Sequence, residues 1–169
     1  MGFFKNIGDM FNGKARERHD YIYENLLETL QYKNYITILR NSNNFDGDQK
    51  LVVFLILYGY IEIATQNYEM SNNGNRDIND IQDKAHIITK YFFKDYLKWP
   101  SSHVDKVERD IKNLAYNSPT NVSNIMKIGQ AIAFNMVANK ASASILGFEP
   151  SKEEGYRVLD DAFNMLGFK

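Results

Sequence analysis

A chain of 169 residues fits one domain on the usual scale of roughly 100–200 residues each. Its 44% hydrophobic and 24% charged residues are those of a chain that buries a core, not of a disordered one. It has no cysteine, which removes disulfides, thiolate zinc sites, iron–sulfur clusters and cysteine nucleophiles together. Its net charge of -1, from 20 Lys and Arg against 21 Asp and Glu, gives no long-range attraction for nucleic acid or acidic lipid. No nucleic-acid partner and no cofactor is expected.

The N-terminus, "MGFFKNIGDMFNGKARERHD", lacks the uninterrupted apolar core and small-residue cleavage site of a signal peptide, so the cytoplasm is the expected location. Heavy use of Asn, Ile, Lys and Tyr with few prolines matches the drift of an AT-rich bacterial genome. Residues 1–13 read as an amphipathic arm ahead of a helical domain spanning 14–169. In the arm, Phe3, Phe4, Ile7, Met10 and Phe11 share one side of a helix, the pattern of an interfacial membrane anchor. Gly2, Gly8 and Asp9 weaken that reading, and Asn6 stands where a myristoylation signal needs Ser or Thr. Docking of the aromatic face on the bundle is preferred over docking on lipid; docking on a partner stays open.

Over Lys14–Arg40, the residues Tyr23, Leu26, Leu27, Leu30, Ile38 and Leu39 recur at helical spacing. The next segment, "LVVFLILYGYIEIA", holds eleven uncharged residues from Leu51 to Ile61, bracketed by Lys50 and Glu62. A membrane span needs about 20 apolar residues, so this run is too short. Its β-branched residues suit a buried strand, but the pattern continues to Met70 without a turn signal. It therefore reads as one helix, Asp48–Met70, capped by Asp46 or Asp48. Apolar nearly all round, that helix belongs at the centre of a bundle, where Gly59 would let a neighbour approach closely.

Ile81, Ala85, Ile88, Phe92 and Trp99 mark a helix over Asp77–Lys98, stopped by Pro100. Ser102 and Asp105 have capping-box spacing ahead of Val104, Val107, Ile111 and Leu114. After "NSPTNVS", a helix over Asn121–Ile145 turns Ile125, Ile128, Ile132 and Met136 inward, and its small residues, Gly129 among them, favour close helix contact. Ser151 with Glu154 opens the last helix, whose Tyr156, Leu159, Phe163 and Leu166 complete the core. The expected architecture is all-α: a single-domain bundle of about six helices, mostly antiparallel because the loops are short.

Motifs of known chemistry are thin. His19–Asp20 lacks the upstream histidine of a metal phosphohydrolase dyad, and His86 and His103 have no second His at i+4. Glu69, Ser71, Asn73, Gly74 and Asp80 fall at positions one, three, five, six and twelve of a calcium loop, but Glu and Ser at the first two positions coordinate a hard cation poorly. The ordinary reading is a turn between helices. No P-loop, GxGxxG or GxSxG is present. Lys90, Lys94 and Lys98, with Tyr91, Phe93 and Tyr96 alongside, could track a nucleic-acid strand, yet they lie where any amphipathic helix is solvated.

What remains is a protein-binding module. Eleven tyrosines exceed what a core easily satisfies, so several are expected at the surface, where Tyr serves in hot spots. The concrete form is a bacterial immunity-type protein that neutralises a toxin enzyme by direct binding. Its partner surface is placed on Asn73, Asn75, Asp77, Asp80 and Asp83, an edge suited to a basic cleft; acids here also simply complement a helix dipole. Two alternatives stay open. One is a peripheral membrane protein held by Phe3, Phe4, Ile7 and Phe11. The other is a metal-binding or enzymatic bundle whose ligands meet only in space.

Overall fold

In the computed structural model, which describes residues 13–137 and 149–168, the chain is an all-α bundle, with no strand among those residues. The elements are α1 (Gly13–Gln31), α2 (Tyr35–Leu39), α3 (Gly47–Asn72), α4 (Ile78–Tyr91), α5 (Ser101–Asn117), α6 (Pro119–Val137) and α7 (Lys152–Met165). Six are long, and α2 is a short extra piece cut from the expected first helix. The arm residues Phe3, Phe4, Ile7 and Phe11, and the part of the expected Asn121–Ile145 helix beyond Val137, lie outside the described residues.

The reading of Lys14–Arg40 as one helix is corrected. Lys33 and Asn34 take left-handed backbone angles, with φ of 49° and 58°. The apolar stripe runs through this break, so periodicity conceals it. Tertiary contacts favour it instead: the Tyr32 and Tyr35 hydroxyls and the Lys33 ammonium all donate to the Asp160 carboxylate of α7. Tyr32 stacks on Tyr156 and Tyr35 on Phe163, with ring centroids 4.1 and 3.8 Å apart.

α3 is the hub. Asp46 caps it: Asp46 Oδ1 accepts from the Gln49 N–H at 2.8 Å, and Gln49 Oε1 accepts from the Asp46 N–H at 2.9 Å. Of the two expected caps, only Asp46 fills the role. Gln49 also donates to the Leu166 carbonyl, tying the start of α3 to the end of the bundle. From Val53 to Ala64 nearly every α3 side chain is buried, against α1, α4, α5 and α6. By length and composition α3 is the one described helix that could cross a membrane; 67% of its most apolar window is buried by the rest of the fold.

Two glycines set the α3–α6 distance. A Cβ on Gly59 would lie 2.2 Å from the Met126 carbonyl oxygen, and one on Gly129 only 1.7 Å from that of Ile56. The close approach expected at Gly59 is present, and Gly129 answers it from the other helix.

α4 follows the expected stripe, with Ile81, Ala85, Ile88, Phe92 and Trp99 all buried. Its α-helical part ends at Tyr91 and widens into a π turn over Phe92–Tyr96, closed by the Leu97 N–H on the Phe92 carbonyl at 2.9 Å. Lys98, with φ of 60°, ends the segment before Pro100. Both Phe92 and Phe93 are fully buried across the turn. The Trp99 indole N–H donates to the Leu39 carbonyl at 2.7 Å.

The expected Ser102–Asp105 capping box does not form. α5 starts two residues earlier, with Pro100 at the cap position and Ser101 first in the helix, so Ser102 is already inside it. Asp105 pairs instead with Lys94 at 3.0 Å, and Lys90 with Glu108 at 2.9 Å. The lysine ridge of α4 thus stitches α4 to α5. Ser118 alone separates α5 from α6, because Pro119 takes the first helical position, where its missing N–H is no loss. The expected break through "NSPTNVS" is therefore shorter than read. At α7, Ser151 Oγ accepts from the Glu154 N–H at 3.4 Å, but the Glu154 carboxylate turns to Arg157, so only half of that box exists.

The expectation of several exposed tyrosines is also corrected. Only Tyr116, at 90%, is exposed; the rest are buried or half-buried. Many hydroxyls have found partners, such as Ile88 O for Tyr23 and Thr29 for Tyr60.

Candidate functional site

The α3–α4 corner separates the five predicted site residues into two groups. Asn73, Asp77 and Asp83 are exposed; Asn75 and Asp80 are half-buried. Asn73 ends α3, donating its N–H to the Glu69 carbonyl. Asp77 is the N-cap of α4 and accepts from the N–H groups of Asn79 and Asp80. Asn75 and Asp80 turn inward to a charged cluster. Asn75 Nδ2 donates to both Asp80 and Glu69, and the Lys84 ammonium bridges Glu69 at 3.0 Å and Asp80 at 2.6 Å. The Lys84 hydrogen bond holds Asp80 below the usual carboxylate range against the opposing effect of burial.

At the centre of this cluster is Glu69, only 1% exposed, which also takes Arg18 Nη1 at 2.8 Å. Burial disfavours its charge, but hydrogen bonds from Arg18, Lys84 and Asn75 outweigh it and bring the carboxyl from 4.5 to about 2. Gly74, with φ of 62°, provides the turn. The loop residues that match a calcium pattern thus have Glu69 neutralised by side-chain cations. Among the described residues no three His, Asp or Glu side chains stand together as a metal site. Asp80 and Lys84 have legible i,i+4 spacing; Arg18 and Glu69, 51 residues apart, leave no sequence signal.

Next to Arg18, His19 is 2% exposed and meets the Tyr23 ring edge-on. Burial, aided by the Arg18 charge, lowers its pKa from 6.5 to about 4. The imidazole is neutral in the folded protein at pH 6, while the unfolded chain binds a proton there. Its contribution to stability is therefore complete above about pH 6.5 and lost as pH falls toward 4. Unfolding free energy should drop with a slope approaching about 1.4 kcal/mol per pH unit in that window. His19→Gln should flatten this segment of the profile, whatever its effect on absolute stability; urea melts at half-unit pH steps test it.

The corner also carries uncovered apolar side chains. Met70 is 45%, Ile78 64% and Ile87 45% exposed. Ile78 follows Asp77 directly, and Ile87 lies one turn beyond Asp83 on the outer face of α4. Asp83 also acts inward: burial first, then the charges of Glu62 and Asp83, pushes the Tyr58 hydroxyl up to about 12. Glu62 is itself 9% exposed, and its oxygens accept from Gln82 of α4 and Gln130 of α6, both at 2.9 Å.

Beside Tyr58 a cleft of about 120 Å³ opens among α3, α4, α5 and α6. Its lining includes Tyr58, His86, Glu108 and Lys112. His86 Nε2 lies 3.0 Å from Glu108 Oε1, and its ring meets Tyr58 edge-on at 6.3 Å. The sequence places these residues on separate helices and gives no hint that they meet.

No protein-family model matches the chain, and neither the curated proteins nor the solved structures yield a match to it.

Proposed function

We propose that the protein works by binding another protein through the outer side of the α3–α4 corner. In its concrete form it is a cytoplasmic bacterial immunity-type protein that neutralises a toxin enzyme by covering a basic cleft. The observation that supports this reading is the uncovered Ile78, 64% exposed, set beside the exposed carboxylate of Asp77. Met70 and Ile87 extend the apolar surface, and Asp83 extends the acidic one. Apolar anchors with a charged rim are the composition of protein interfaces. Many other charges of the fold are already paired within the chain, from Arg18–Glu69 to Arg157–Asp161.

The test is a tagged pull-down followed by titration of the recovered partner. The expected partner is a single stoichiometric protein with a catalytic domain and a basic cleft. Ile78→Asp combined with Asp83→Arg should weaken its binding by about thirtyfold or more, as loss of a hot spot does. Lys127→Glu, on exposed α6 surface, should leave affinity unchanged. Equal affinity for both variants would remove the corner as the site, and recovery of the protein alone would remove the reading.

A further inference from the structure

The cleft beside Tyr58 is separate from the corner and has its own chemistry. Its floor is apolar, built from Phe54, Leu55, Ile111, Val122 and Met126. At about 120 Å³ it approaches the roughly 150 Å³ of an apolar cavity that holds a benzene ring. Its rim is polar and carries both signs. Glu108 has one oxygen near His86 and the other on Lys90, at 3.0 and 2.9 Å. An ionised carboxylate offers about four acceptor positions, so acceptor capacity remains. Lys112 is exposed at the same rim, with no ion pair among the described residues, and supplies donors.

This combination selects among ring-sized molecules. A carboxylate head would meet Glu108, and an ammonium head would meet Lys112 and Lys90. A phenolic hydroxyl satisfies both sides, since it donates to a carboxylate and accepts from an ammonium in the same place. We infer that the cleft among α3, α4, α5 and α6 is a binding site for a small phenol. The ring lies on the Phe54–Val122 floor and the hydroxyl sits between Glu108 and Lys112. The inference does not depend on the protein-binding reading of the α3–α4 corner.

Methyl-resolved NMR titration with p-cresol tests it. Saturable shifts are expected at Leu55, Ile111, Val122 and Met126. Affinity for p-cresol should exceed that for toluene by about tenfold, the scale of one charge-assisted hydrogen bond. 4-Methylbenzoate and 4-methylbenzylamine should both bind more weakly than p-cresol. Val122→Phe, at a half-buried position, should fill the cleft and weaken p-cresol by about tenfold or more while the other core methyl signals stay in place. Lys112→Met, at an exposed position, should reduce the preference for p-cresol over toluene without altering the fold. Absence of saturable shifts, indifference to Val122→Phe in a folded variant, or tighter binding of the acid or the amine would each overturn the assignment.

Discussion

Gly129→Ala is expected to lower stability by at least about 3 kcal/mol, the upper end for overpacking in a core. The added methyl would meet the Ile56 carbonyl oxygen at 1.7 Å, its carbon at 2.7 Å and the Tyr60 nitrogen at 2.9 Å. All three are backbone atoms of α3, so no side-chain rotation relieves the clash. α6 would have to withdraw by at least about 1.7 Å to reach ordinary contact, loosening dispersion contacts along the crossing. Alanine favours helix over glycine by about 1 kcal/mol, which opposes the effect but is smaller. Urea denaturation should show a reduced midpoint at an unchanged m-value. Gly59→Ala, with its nearest contact at 2.2 Å, should follow in the same direction. A neutral or stabilising Gly129→Ala would mean that α3 and α6 do not cross this closely.

Glu69→Gln should cost about 3–5 kcal/mol, the range for removing one partner of a buried ion pair. The amide keeps the shape of the side chain but leaves Arg18 and Lys84 without their shared counter-ion. Arg18 is poorly placed to recover, since its side chain is 11% exposed and its Nε, with no partner among the described residues, is already buried. A second change, Arg18→Met, should restore part of the loss in Glu69→Gln, which a double-mutant cycle reads as coupling. Glu154→Gln, at a solvent-screened pair with Arg157, should cost far less. The pH profile gives an independent check. The folded pKa of Glu69, about 2, is below its ordinary 4.5, so its contribution is complete above pH 4.5 and lost as pH falls toward 2. Glu69→Gln should flatten that acid limb while leaving the His19 segment at higher pH. An unchanged limb would show that Glu69 is not the proton acceptor.

Helix positions were legible because burial repeats along one chain: Ile81, Ala85 and Ile88 mark their face wherever the helix lies. Gly59 was legible because a glycine in so apolar a helix has few other uses. The break at Lys33 and Asn34 was not, since it depends on Asp160, more than 120 residues away. The π turn was hidden for a related reason: spacing marks Phe92 as inward, but only packing against Phe54 and Trp99 draws Phe93 inward as well. The candidate site was legible in part. Asp77 and Asp83 are exposed as an interface edge requires, whereas Asn75 and Asp80 belong to a network whose anchor, Glu69, reads as a loop ligand in sequence. The cleft had no local signature, because four helices contribute to it.

The contact between Trp99 and Leu39 has an optical consequence. Trp99 is the chain's only tryptophan, 2% exposed, and it joins the corner after α2 to the end of the π turn. Its emission therefore belongs to one joint rather than to an average over the molecule. A chain in which α1 and α2 had come away while α3 and α6 stayed paired would show red-shifted fluorescence with most of its helical dichroism intact. Fluorescence and dichroism measured together therefore separate the loss of this joint from the loss of the helices.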